Sequence, residues 1–160
     1  MAVEDLFTQA LGLSSPWHVV CCDFDPAAKS LKLVIDFERG ARFADPETGE
    51  PCPVHDTVQR RWEHLRFFEH RTTIEARVPR IKTASGAVKT VEVPWAKLHG
   101  GFTLLMEAYL LILAKVMPVA EVSRQTLVSE DRIWHLIRTR VEDSWEKTDW
   151  SSLERLGVDE

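Results

Sequence analysis

Apolar positions along this chain recur with two different periods, and the change falls near residue 100. Before it, apolar and polar residues mostly alternate, as in strands with one buried face. After it, apolar residues return every three or four positions, as on a helix. One short helix precedes the strands. Val3, Leu6, Phe7, Ala10 and Leu11 fall at helical spacing and Gly12 ends the run, which predicts a helix over 3–13. WHVVCCDF (17–24) and SLKLVIDF (30–37) read as strands joined by a turn that starts at Asp25-Pro26, a β-hairpin. Residues 40–56 cluster Pro and Gly and read as a loop. The basic, aromatic stretch TVQRRWEHLRFFEH (57–70) leads into RTTIEARVPRIK (71–82), whose strict alternation predicts a strand. TASGA turns it and VKTVEV returns, a second hairpin over 71–93.

Pro94-Trp95 closes the sheet and Gly100-Gly101 reads as a linker. Phe102, Leu105, Tyr109, Leu110, Ile112, Leu113 and Val116 then wrap most of a helix over 102–117, a pattern expected of a helix buried by its neighbours. Pro118 restarts the chain and 119–125 forms a short second helix. Ser129 suits an N-cap, and Glu130 and Asp131 occupy the first turn where the helix dipole favours acids. Ile133, Leu136, Ile137, Val141 and Trp145 make an inward stripe to about residue 147, with Trp134 read as core beside it. Arg132, His135, Arg138, Thr139 and Glu142 lie opposite. The expected class is α+β: a small β-rich module over 1–99, a tri-helical unit of helix-turn-helix type over 100–147, and a tail over 148–160. In the tail, Leu156 to Val158 reads as the start of a strand ending in two carboxylates.

Composition narrows the class. The 160 residues are 44% hydrophobic and 28% charged, enough apolar content for a real core. No apolar run reaches the ~18 residues of a membrane span, and the acidic N-terminus is not a signal peptide. Three cysteines, two of them adjacent, do not form a disulfide framework and fit a reducing cytoplasm. The net charge is −5, but its distribution is uneven. Residues 57–99 carry nine basic and four acidic side chains, whereas both flanks are acidic. A phosphate-facing surface must therefore draw on the middle of the chain.

That reading points to Arg71, Arg77, Arg80, Lys82 and Lys89, offered to one side of the second hairpin. On the third helix of the tri-helical unit, Arg132, His135, Arg138 and Arg140 are placed to reach phosphates or guanine edges. Two features weaken the motif. Leu127 stands where the turn normally has glycine, and the first turn of the third helix is acidic although that part enters the groove. Cys52 and His55, spaced C-x-x-H, supply two metal ligands at most. A thiol and a surface imidazole without zinc is the preferred reading of that pair. No Gly-rich phosphate loop and no Ser-His-Asp order is present.

Several of these fragments, in this order, resemble the N-terminal part of bacterial insertion-sequence transposases of the ISL-three family: VEDLFTQALGL…PWHVV, ERGARF…CPVHDT, WEHLRFFEHRTTIEARVPR, VKTVEVPWA, GFTLLMEA and IWHLI…LGVDE. The resemblance runs from Val3 to Glu160 and implies a β-rich zinc-finger region, a helix-turn-helix and then a magnesium-dependent catalytic domain. It implies that Asp159 corresponds to the first catalytic aspartate, one carboxylate of an incomplete site. It also places the family's two pairs of zinc ligands on Asp45 and Thr48 and near Thr83 and Gly86, so all four are replaced. The expectation is a degenerate finger without zinc. The function expected is transposase-derived binding of DNA, terminal repeats among the candidate targets, without catalysis by this chain. A homodimer or a transposase partner is expected beside the DNA. The alternative from another class is a protein-interaction module, dimerising through the apolar helix 102–117 or inhibiting a DNA-binding partner.

Overall fold

The structure, a computed structural model, describes residues 2–147. The chain divides into two compact units, one running to Glu107 and the other starting at Ala108. Among the described residues no helix is long and apolar enough to cross a membrane.

The first unit opens with helix α1 (Val3–Ala10) and continues through β1 (Trp17–Asp25), β2 (Ser30–Phe37), β3 (Arg42–Ala44), β4 (Pro51–Phe67), β5 (His70–Lys82) and β6 (Val88–Thr90). These strands form one sheet in the order β1-β2-β5-β4-β3, with β6 on β5. The β1–β2 hairpin is antiparallel as expected. Alternation decides which side faces inward: Leu31, Leu33 and Ile35 of β2 lie level with Thr72, Ile74 and Ala76 of β5, and Trp62 of β4 stands opposite Ile74. All seven are buried. Trp17, Trp62 and Trp95 extend this core through edge-to-face contacts, with Trp95 5.0 Å from Trp17 and 5.8 Å from Trp62. Helix α1 closes over β1, where Thr8 Oγ1 accepts the Val19 N–H at 2.9 Å.

Three expectations fail here. The stretch 40–56 is not a plain loop: it contains β3 and the start of the 17-residue strand β4. On β4, Cys52, Val54, Asp56, Val58 and Arg60 are half-buried and their neighbours exposed, so polar side chains and two prolines hid the alternation. Second, β5 does pair with β6, but its long partner is β4, and it runs parallel to β2. Third, Gly100-Gly101 is not a free linker. Gly101 carbonyl accepts the Glu63 N–H at 3.0 Å, and the Thr103 N–H donates to Glu63 carbonyl at 3.0 Å. The chain is thus tied to β4 through Thr103 before helix α2 (Leu104–Val116) begins.

The second unit contains the rest of α2, then α3 (Val119–Thr126) and α4 (Glu130–Lys147). Among its described residues, Leu110, Val122, Thr126, Val128, Ile133 and Leu136 are buried. Burial of α2 on all sides does not occur. Leu105, Tyr109, Ile112 and Val116, spaced four, three and four residues apart, are exposed, because one helix face packs inward and these positions lie off it. The inward stripe of α4 is also shorter than its sequence suggests. Val141 and Trp145 are exposed at 58% and 61%, and Trp134, read as core, is 50% exposed. Trp134 follows the buried Ile133 directly, a turn of about 100° around the helix, which carries it off the buried side.

Candidate nucleic-acid interface

Helices α3 and α4 form a helix-turn-helix. Pro118 caps α3, its carbonyl accepting the N–H groups of Glu121 and Val122 at 2.9 and 3.1 Å. Leu127 ends α3 in the left-handed conformation (φ 58°, ψ 23°), with its N–H on Ser123 carbonyl at 2.8 Å. This is the position where glycine normally relieves the clash with Cβ, and the turn forms with leucine instead. Val128 then drops into the core, and Ser129 carbonyl accepts the Arg132 and Ile133 N–H groups that start α4.

The solvent face of α4 carries Asp131, Trp134, His135, Arg138 and Glu142, each three, four or seven residues from a companion. Arg132 and Arg140 are half-buried, and Arg140 lies 3.9 Å from Asp143 one turn away. Of the four cationic candidates on this helix, His135 and Arg138 therefore stand out on the open face. Trp134 joins them and was missed because tryptophan beside an apolar stripe reads as core. The periodic signal lay in the stripe Ile133, Leu136 and Ile137, which leaves residue 134 on the other side.

Four of the five sheet candidates are engaged with carboxylates. Arg71 donates to both carboxylate oxygens of the buried Glu63 at 2.9 and 3.1 Å, which raises the Arg71 pKa further. Arg77 pairs with Asp36 at 2.5 Å. Arg80 makes a two-pronged contact with Asp56, its Nε at 2.6 Å, and this holds the Asp56 carboxyl below its ordinary range. Lys89 reaches Glu47 at 2.7 Å and the buried Asp45 at 3.3 Å. Lys82 is exposed. The excess positive charge of this region is therefore largely spent on neighbouring carboxylates within the sheet.

The positions that the resemblance assigns to zinc ligands sit in two hydrogen-bonded turns. Asp45 carbonyl accepts the Gly49 N–H at 2.8 Å, and Thr83 carbonyl accepts the Gly86 N–H at 2.9 Å. Thr83 Oγ1 also contacts Ser85 Oγ at 2.8 Å. Asp45 is held ionised first by the Glu47 N–H and then by Lys89, which stands on β6 just past the second turn. A lysine–carboxylate contact thus fastens the first turn to the strand that follows the second. Cys52 and His55 are an odd number of residues apart on β4, Cys52 half-buried with its Sγ 3.6 Å from Glu50 carbonyl and His55 exposed. The register of β4 against β5 shifts between Val54 and Asp56, at His55 itself. Among the described residues no three His, Cys, Asp or Glu side chains gather as a metal site. Asp159 and the strand start Leu156 to Val158 lie outside the described residues.

Residues 91–141 match the helix-turn-helix domain of transposase family ISL3. The matched segment covers α2, α3 and α4 up to Val141. Searches of curated proteins and of solved structures return no significant match.

Proposed function

We propose that this chain binds duplex DNA through α3 and α4, with α4 as the helix that enters the major groove. One observation carries the reading: within a segment that matches a transposase helix-turn-helix, α4 turns Trp134, His135 and Arg138 to solvent on a single face. An arginine there can donate two hydrogen bonds to a guanine edge or grip a phosphate. An imidazole can donate to either, and an indole face packs against a thymine methyl or a deoxyribose. Glu130 and Asp131 repel phosphates at the start of α4. The contacts therefore shift to the middle of the helix, one to two turns further in than a helix with a basic start would place them. The DNA targets that fit a transposase-derived reader are the terminal repeats of an insertion sequence. The role proposed for residues 2–147 is binding rather than strand chemistry.

Selection of bound duplexes from a random-sequence pool, followed by mobility shift at two salt concentrations, tests the proposal. Sequence-selective binding that weakens steeply with salt is expected, because phosphate contacts release counterions. Replacing His135 and Arg138 together by alanine should remove selectivity. Unchanged binding by that double variant would sink the assignment to α4.

A second reading is favoured by the exposed apolar stripe Leu105, Tyr109, Ile112 and Val116 on α2, which suits contact between protein chains better than contact with DNA. Self-association that is insensitive to salt, with no retained duplex in the selection, would favour it.

A further inference from the structure

The turn joining β4 to β5 has two central residues, Phe68 and Glu69, between the paired Phe67 and His70. Phe68 takes φ 53° while Glu69 does not have a positive φ, the pattern of a turn whose first central residue is usually glycine. A phenylalanine there is strained by its own Cβ. It is also 84% exposed, so its ring adds nothing to the core. Glycine would serve the fold better at this position, and strain kept at an exposed aromatic points to a use outside the fold.

The ring is held out on a stiff base. Phe67 meets Phe68 edge-on at 4.7 Å and Phe7 at 5.6 Å. The Phe67 N–H donates to Thr72 Oγ1 at 3.0 Å. The hairpin behind the tip, residues 51–82, carries seven basic and four acidic side chains, and Arg61, Arg71, Arg77 and Arg80 among the basic ones are paired with carboxylates. Beside the tip, Lys29 pairs with Glu69 at 2.7 Å, both more than 60% exposed. An exposed pair of this kind is weak and can exchange its carboxylate for a phosphate.

We propose that Phe68 is a wedge for duplex DNA. The β4–β5 ribbon approaches the minor groove, Phe68 inserts between two base pairs and partly unstacks them, and Lys29 meets a flanking phosphate. Apolar side chains used this way kink DNA and let more protein surface reach it. The proposal rests on the DNA-binding reading above and adds a second contact, one that reads deformability rather than base edges.

The test uses the full chain and a duplex obtained by the selection described above, with dyes at the two DNA ends. Affinity is followed by anisotropy and bending by energy transfer. Phe68→Gly should melt at a higher temperature than the parent yet bind about tenfold more weakly, the scale of one lost aromatic–base contact, and leave the DNA straight. Phe68→Leu should retain part of the bend. Arg138→Ala should lose affinity but still bend DNA at saturating protein. Equal affinity and equal bending for the parent and Phe68→Gly would overturn the wedge and leave the α4 reading standing. Absence of duplex binding by the parent would overturn both. Loss of parental self-association in Phe68→Gly without DNA, with duplex binding unchanged, would reassign the tip to a protein contact and also overturn the wedge.

Discussion

His64 Nδ1 lies 2.8 Å from Thr103 Oγ1, and the same oxygen accepts the Met106 N–H at 3.3 Å in the first turn of α2. A strand imidazole therefore steadies the residue that caps the helix. Burial holds the His64 pKa below its ordinary 6.5, so the folded protein favours the neutral ring. The unfolded chain takes up a proton as pH falls through 6.5, while the folded chain resists it. His64 thus contributes stability that is complete above that pH and declines below it. Between about pH 7.5 and about pH 5.5 the parent melting temperature should fall more than that of His64→Gln, which lacks the titration. Equal slopes for the two proteins would remove His64 as the cause.

Lys89 ties the Asp45 turn to β6, and Asp45 is almost fully buried. Lys89→Met should lower the melting temperature more than Lys32→Met, because the Lys32–Asp23 pair at 3.0 Å is exposed to solvent. The Asp45 carboxyl is held below its ordinary range, chiefly by the Glu47 N–H. Its contribution is therefore present at neutral pH and is lost as pH falls through that lowered value. Parallel melting curves of the two variants from neutral to acid pH check both points.

Leu127 is 66% exposed and sits at φ 58°. Leu127→Gly should stabilise the helix-turn-helix by on the order of 1 kcal/mol, since relief of the left-handed strain outweighs the loss of an exposed side chain. Chemical denaturation read by the signal of this unit would show it. A destabilised variant would mean that the leucine packs in a way its exposure does not reveal.

Arg138 and Arg77 separate two views of the positive charge. Arg77 is paired with Asp36, whereas Arg138 stands on the open face of α4. Arg138→Ala should reduce the slope of log affinity against log salt by about one contact. Arg77→Ala should leave that slope unchanged. Mobility shifts across a salt series would reverse this assignment if Arg77 changed the slope and Arg138 did not.

Legibility varied between elements. The pattern of 30–37 gave β2 at its observed bounds, and the starts of α3 and α4 were plain from Pro118 and Ser129. Strand β4 was invisible because its half-buried positions hold Asp56 and Arg60 as well as Cys52, Val54 and Val58. These polar groups are tolerated there because an ion pair satisfies Asp56, a partner 24 residues away in sequence. Phe68 was passed over within a basic, aromatic stretch, although two adjacent phenylalanines just before a strand were a signal of something other than core.

The sequence by itself determined the two periods, the break between them, the three helices of the second half and the uneven charge, because each is a property of neighbouring residues. Only the tertiary structure decided which charges remain open, since Arg71, Arg77, Arg80 and Lys89 are neutralised by carboxylates that sequence distance hides. It alone gave Phe68 its strained conformation. Burial and backbone strain are set by which segments pack together, and no local pattern carries that information.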